Sequence, residues 1–208
     1  MDLLSNLTGS GYVVDPLSPT LTSTWAGRPT TARVGDVRLM TDIGAAPGTY
    51  MIWTGSVWRP IGPSVFYNQF TEVTKTDADT AYQTIASFEM PAALMSPGMS
   101  LTGWIIVSGP GNRDVRVTWG GVVLLGQVIP SGSVDFRGLI DIMAISSGVA
   151  CGWNPGGAGV VGQQSAAYTS GAVDHSIAQT VNIEMRYNTA GAGSQTSTAM
   201  LFKLLLVP

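Results

Sequence analysis

Val115-Arg116-Val117-Thr118-Trp119 and Val181-Asn182-Ile183-Glu184-Met185-Arg186-Tyr187 alternate apolar with polar residues at a period of two. Successive side chains of a strand point to opposite faces, so this pattern belongs to strands with one buried face. Working outward, the stretches 101–108, 122–129, 134–145 and 199–207 are β-rich in character, and Gly-containing turns separate them. Evenly spaced short strands of this kind point to an antiparallel β-sandwich. Helix signals are few: Pro91-Ala92-Ala93-Leu94-Met95 has the length of one turn, which Pro97-Gly98 would end. The expected fold class is all-β.

The texture of the chain changes between Ser64 and Thr76. Residues 1–63 are rich in Pro, Thr and Gly and have too few apolar side chains for an independent globule, so this part needs a partner. Within it, Val37-Arg38-Leu39-Met40-Thr41 and Tyr50-Met51-Ile52-Trp53 flank a turn-forming stretch at 42–48. A further short strand is expected at Ser56-Val57-Trp58-Arg59, completing a small β-meander. The expected organisation is an extended N-terminal anchor at 1–24, the β-meander module at 25–63, a linker at 64–76 and the sandwich at 77–208.

Composition restricts the function. Only 11% of the 208 residues are charged, against roughly 25% in an average soluble domain, while 45% are hydrophobic. Mean hydropathy is positive at +0.25. No apolar run approaches the roughly 18 residues that a membrane span requires, and the opening Met1-Asp2-Leu3-Leu4-Ser5 has no basic region of a secretion signal, so neither membrane insertion nor export is expected. A soluble chain with so few charges hides apolar surface in a large obligate interface, and an oligomer is expected. The net charge of -3 and scattered cations argue against nucleic-acid binding, which needs clustered Lys and Arg. Cys151 is the one cysteine, which excludes an intrachain disulfide, and it reads as a small buried hydrophobe.

The search for catalytic chemistry gives little. His175 is the single histidine, with no Gly-x-Ser-x-Gly elbow in the chain, and Asp174 beside it would face the other way in a strand. No His-Glu-x-x-His, Cys-x-x-Cys or EF-hand spacing occurs, so no metal and no cofactor is expected. Gly157-Ala158-Gly159-Val160-Val161-Gly162 formally matches a dinucleotide loop but lacks a βαβ context and reads as a loop. Polysaccharide hydrolysis needs two acids roughly 5 to 9.5 Å apart. Asp135 and Asp141 would share a strand face about 20 Å apart, too far for that work. Asp77 and Asp79, about 7 Å apart in extended chain, read as a solvated turn. Among the aromatic residues, Trp104 and Trp119 lie in strand patterns and are expected in the core.

One stretch carries a resemblance. Trp25-Ala26-Gly27-Arg28-Pro29-Thr30, then Gly35-Asp36-Val37, then Met51-Ile52-Trp53-Thr54-Gly55-Ser56-Val57-Trp58-Arg59-Pro60 resembles the small hairpin modules of phage tail-fibre and head-fibre proteins. The resemblance implies a meander packed against its copies around a threefold axis, with Trp25, Trp53 and Trp58 as trimer-interface or module-core aromatics and Gly35 and Gly55 at turns. From Thr76 onward, Ala81-Tyr82-Gln83-Thr84-Ile85-Ala86-Ser87-Phe88 and Val115-Arg116-Val117-Thr118-Trp119-Gly120-Gly121 are similar to the jelly-roll head domains of phage fibres and decoration proteins. No coiled-coil heptads or repetitive shaft lie between the two parts, which sets a compact decoration or adaptor protein beside the fibre.

The resulting expectation is a non-enzymatic bacteriophage virion protein. It would be a homotrimeric fibre, head-fibre or decoration subunit, made in the host cytoplasm and attached to other virion proteins through its N-terminal segment. The alternative is a fibre tip that binds host glycan, with Trp153, Gln163, Gln164 and Tyr168 as a receptor-contact loop; a polysaccharide depolymerase comes third.

Overall fold

The structure is a computed structural model that describes residues 22–44, 48–68, 71–131, 135–145, 148–155, 169–171 and 173–208. The described residues form fifteen strands and no helix. Four of them, β1 (Thr22–Ser23), β2 (Val37–Met40), β3 (Thr49–Trp53) and β4 (Trp58–Pro60), make a small sheet in that order. A second sheet runs β10 (Val122–Ile129), β9 (Arg113–Trp119), β14 (Gln179–Tyr187), β7 (Gln83–Met90). The third contains β13 (Thr169–Gly171), β12 (Gly148–Pro155), β11 (Asp135–Ile145), β8 (Ser100–Ser108), β15 (Thr196–Val207) and β5 (Ser64–Tyr67). Its seventh strand, β6 (Val73–Thr76), also pairs with β15. Apart from the parallel β1–β2 pair, the pairings are antiparallel. The all-β class and the antiparallel sandwich follow.

The two alternating stretches turn out to be hydrogen-bonded neighbours. Val181 faces Trp119, Ile183 faces Val117 and Met185 faces Val115 across the β14–β9 pair, and all six side chains are buried. Opposite them, Leu101, Ile105 and Val107 of β8, Ile140 and Ile142 of β11, and Leu201, Leu204 and Leu206 of β15 belong to the same core cluster. Burial of these aliphatic faces is the main stabilising contribution, at roughly 25 cal/mol per Å². A buried polar group closes one end of the core. The fully buried Arg113 donates to Ser197 Oγ at 3.5 Å, and Ser197 in turn lies 2.7 Å from the Tyr187 hydroxyl.

The N-terminal module finds its partner in its own chain. Met40, Ile43, Met51 and Trp58 share one cluster with Met90, Leu94, Met95 and Met99 of the sandwich. Gly35 and Gly55 occupy turns with φ of +92° and +101°. The stretch 64–76, expected as a linker, holds β5 and β6, which hydrogen-bond to β15. Residues 91–99 contain turns rather than a helix, with Leu94 N–H bonded to Pro91 O at 3.2 Å.

One core expectation is corrected. Trp119 is fully buried, but Trp104 is 44% exposed. Leu101, Gly103, Ile105 and Val107 turn inward, so the alternation of β8 sends Trp104 and Ile106 to the outer face. The run Trp104-Ile105-Ile106-Val107 is apolar on both faces, and periodicity within it cannot choose between them.

Candidate functional site

The tryptophans singled out in the sequence assemble where the module meets the sandwich. Trp25 is held at three points: its backbone N–H donates to Asp42 Oδ1 at 2.6 Å, its indole Nε1 donates to Ala92 O at 2.7 Å, and its carbonyl accepts from Arg28 Nη1. The Arg28 guanidinium lies 3.8 Å from the Trp25 ring centroid, a cation–π contact. Trp58 Nε1 donates to Pro29 O at 3.0 Å, and its ring lies 5.5 Å from that of Trp53. Arg59 adds a bond from Nη2 to Pro97 O at 2.7 Å. Trp25 and Trp58 are buried within a single chain, and Trp53 is half-buried. Trp25 and Trp58 belong to the core cluster, and Trp53 packs against it.

Two openings adjoin this junction. A cleft of about 240 Å³ is lined by Trp25, Arg28, Trp53 and Trp58, among others. A wider one of about 600 Å³ shares Trp25, Arg28 and Ala93 with it and adds Asp42, Glu89 and Ser176. Burial lowers the pKa of Arg28 from its ordinary value, with the charge of Asp42 opposing that shift. The guanidinium remains cationic at neutral pH. Arginine, two carboxylates and a hydroxyl can donate and accept hydrogen bonds to a polar ligand.

The other sequence candidates have structural places. Asp77 is buried, and its Oδ1 accepts from Gln195 N–H at 3.2 Å, which pins the chain ahead of β15. Asp79 is exposed and takes the Lys75 ammonium at 2.5 Å. That bond, with the Ala81 N–H, holds the Asp79 carboxyl below its usual pKa. The two acids of this turn therefore have separate partners. His175 is half-buried in a turn, where its carbonyl accepts from Ala93 N–H at 2.8 Å. Asp174 is held low by bonds from the Ser176 hydroxyl and N–H. Asp141 accepts from Thr102 Oγ1 at 3.0 Å. Among the described residues no group of three or more His, Cys, Asp or Glu is placed to hold a metal ion.

Trp153, expected in a loop, lies in β12 at the register position opposite Ile140. Cys151 stands opposite Ile142 in the same strand. Gln163, Gln164, Tyr168 and the 157–162 glycine stretch lie outside the described residues.

Sequence reading did not identify the two outer faces of the sandwich. On the four-stranded sheet, Arg116 Nε bonds Glu184 Oε2 at 2.7 Å and Arg186 Nη2 bonds Asp114 Oδ2 at 2.9 Å. The bond to Asp114 raises the pKa of Arg186. Tyr82 stacks against both guanidiniums, at 3.6 Å from Arg116 and 4.6 Å from Arg186. The seven-stranded sheet has a different outer face. Leu139, Trp104 and Lys203 form one row across β11, β8 and β15, and Arg137, Ile106 and Met200 form the next. On the other side of the Trp104 row come Asp141, Thr102 and Leu205. The cross-strand registers could have been found from sequence only once the inward face of β8 was known.

No protein-family model and no curated protein matches the chain. Among solved structures, that of the infectious bursal disease virus Gt strain aligns over 87% of this chain and 42% of that one, at 13% identity and a TM-score of 0.29. The crystal structure of the infectious bursal disease virus VP2 subviral particle aligns over 87% and 41%, at 12% identity and a TM-score of 0.31. The chain thus spans about two fifths of the length of these weak structural neighbours, both of which come from a virus.

Proposed function

We propose that this chain is a non-enzymatic structural subunit of a bacteriophage particle, a homotrimeric fibre, head-fibre or decoration protein attached through its N-terminal segment. The observation that carries this reading is the way the module is fixed to the sandwich. Trp25, Trp58 and Arg59 reach across to carbonyls or into a common core, so module and sandwich share one hydrophobic cluster. Among the described residues, β1 stands at the edge of the small sheet and pairs with β2. An edge of that kind suits a segment that continues onto a neighbouring protein. The low charge of the chain supports self-association. Mechanism here means assembly: the body supplies a rigid all-β unit, and residues 1–21 supply the attachment.

The experiment is deletion of residues 1–21, which stops short of β1. The shortened chain is expected to keep the β-rich circular dichroism of the full chain and its oligomeric state, and to lose incorporation into particles. Wild-type incorporation of the shortened chain overturns the attachment role.

A second reading, a host-glycan tip, is favoured by the wider opening with Arg28, Asp42, Glu89 and Ser176. It requires direct binding of host surface polysaccharide by the full chain.

A further inference from the structure

The two openings at the junction of module and sandwich differ in lining and share a wall. The wider one holds polar groups with bonding capacity to spare. Arg28 is half-buried and spends Nη1 on Trp25 O, and its Nε and Nη2 have no protein partner among the described residues. Asp42 uses Oδ1 on the Trp25 N–H, and the exposed Glu89 carboxylate has no partner among the described residues. The Ser176 hydroxyl donates to Asp174 Oδ1, so it retains only acceptor capacity. The narrower cleft is lined instead by Trp53, Val57 and Trp58, among others. Trp53 is half-buried, which leaves part of its ring open.

Ala93 belongs to both openings. Its φ is +55°, in the left-handed region that residues with a Cβ rarely adopt. Its N–H donates to His175 O at 2.8 Å, and the neighbouring Ala92 O accepts from Trp25 Nε1, so bonds on both sides hold it there. Backbone kept in such a conformation by its surroundings is characteristic of ligand sites. The wider opening, at about 600 Å³, is within the roughly 300–1,000 Å³ of small-ligand sites.

We propose that the two openings form one site for a neutral sugar unit of a glycan. The proposal rests on the host-glycan reading above and gives that site its ligand class. Arg28 can only donate, whereas Asp42, Glu89 and Ser176 can only accept. A hydroxyl does both, so the vicinal hydroxyls of a sugar satisfy the two sets together. An acidic sugar would suit Arg28 but meet two carboxylates, and an amino sugar would bring its ammonium against the guanidinium. One cation and two anions leave the opening with a net negative charge, which disfavours an acidic ligand. In the narrower cleft, the C–H face of the sugar ring packs on Trp53, whose aromatic face supplies apolar contact.

The test is an array of neutral, acidic and amino-sugar glycans probed with the full chain. Neutral glycans are expected to bind and charged ones to be ignored. Glu89 is exposed, so Glu89→Gln carries little folding risk; it should weaken binding of the neutral glycan at least tenfold, and Arg28→Lys should do the same. Glu89→Lys turns the net charge of the opening positive and should move the preference towards acidic glycans, a change that loss of fold would not produce. Tyr82→Ala, just before β7 at the end away from Glu89, should leave binding unchanged. Neutral glycans bound equally by wild type, Glu89→Gln and Arg28→Lys overturn this site while glycan binding stands. Acidic or amino-sugar glycans bound in place of neutral ones overturn the ligand class. A wild type that binds nothing on the array overturns the host-glycan reading as well.

Discussion

Trp119 concentrates the residue-scale argument. It is fully buried in β9 against β14, and among the described residues its indole Nε1 has no hydrogen-bond partner. Its contribution is therefore volume, and the unpaired N–H is a cost of roughly 1–3 kcal/mol. Trp119→Ala is expected to destabilise by about 3–5 kcal/mol. Trp119→Phe should cost distinctly less, since it keeps most of the ring and removes the orphaned donor; urea unfolding of the two variants checks this, and equal losses would show that the indole N–H is satisfied. Single residues were legible to different degrees. Trp119 could be placed by its alternating neighbours, but Trp104 could not, because its own run is apolar on both faces. The module tryptophans were marked by the resemblance to phage fibre modules, yet their hydrogen bonds to Ala92 and Pro29 depend on chain brought in from elsewhere.

At the scale of elements, alternation located β9 and β14, and turn placement located β2, β3, β8, β10, β11 and β15 within a few residues. The strands β5 and β6 were not legible. Ser64-Val65-Phe66-Tyr67 and Val73-Thr74-Lys75-Thr76 are short, and their partner β15 is more than a hundred residues away, so no local pattern announces the pairing. The centre of that sheet offers a sharp test. Gly103 of β8 lies where the register with β15 shifts between Leu201 and Lys203, and a Cβ there would overlap the Lys203 carbonyl and the Leu204 side chain. Gly103→Ala is expected to destabilise by about 1–3 kcal/mol, because backbone cannot move aside cheaply in a central strand. Gly126 of β10 has open space around its Cβ position, so Gly126→Ala should be neutral or slightly stabilising. Thermal unfolding compares the two; equal midpoints would mean that β15 is not seated on β8 as described.

On the scale of the whole molecule, three sheets are tied into one body, with paired charges on one outer face and Trp104 and aliphatic residues interspersed with Arg137, Asp141 and Lys203 on the other. The fold class was legible because period two and turn residues are local signals, whereas the asymmetry between the outer faces depends on cross-strand register. The proposed role is that of a part built into a larger particle, with this all-β body attached through the N-terminal segment. The most direct measurement is the copy number of this chain in purified phage particles, by quantitative mass spectrometry against the major capsid protein, combined with its location by electron microscopy. The account expects a stoichiometric component in a multiple of three copies, in hundreds at capsid axes for a decoration protein or in dozens or fewer near the tail for a fibre. Particles that lack the chain while infected cells contain it in quantity would contradict the account.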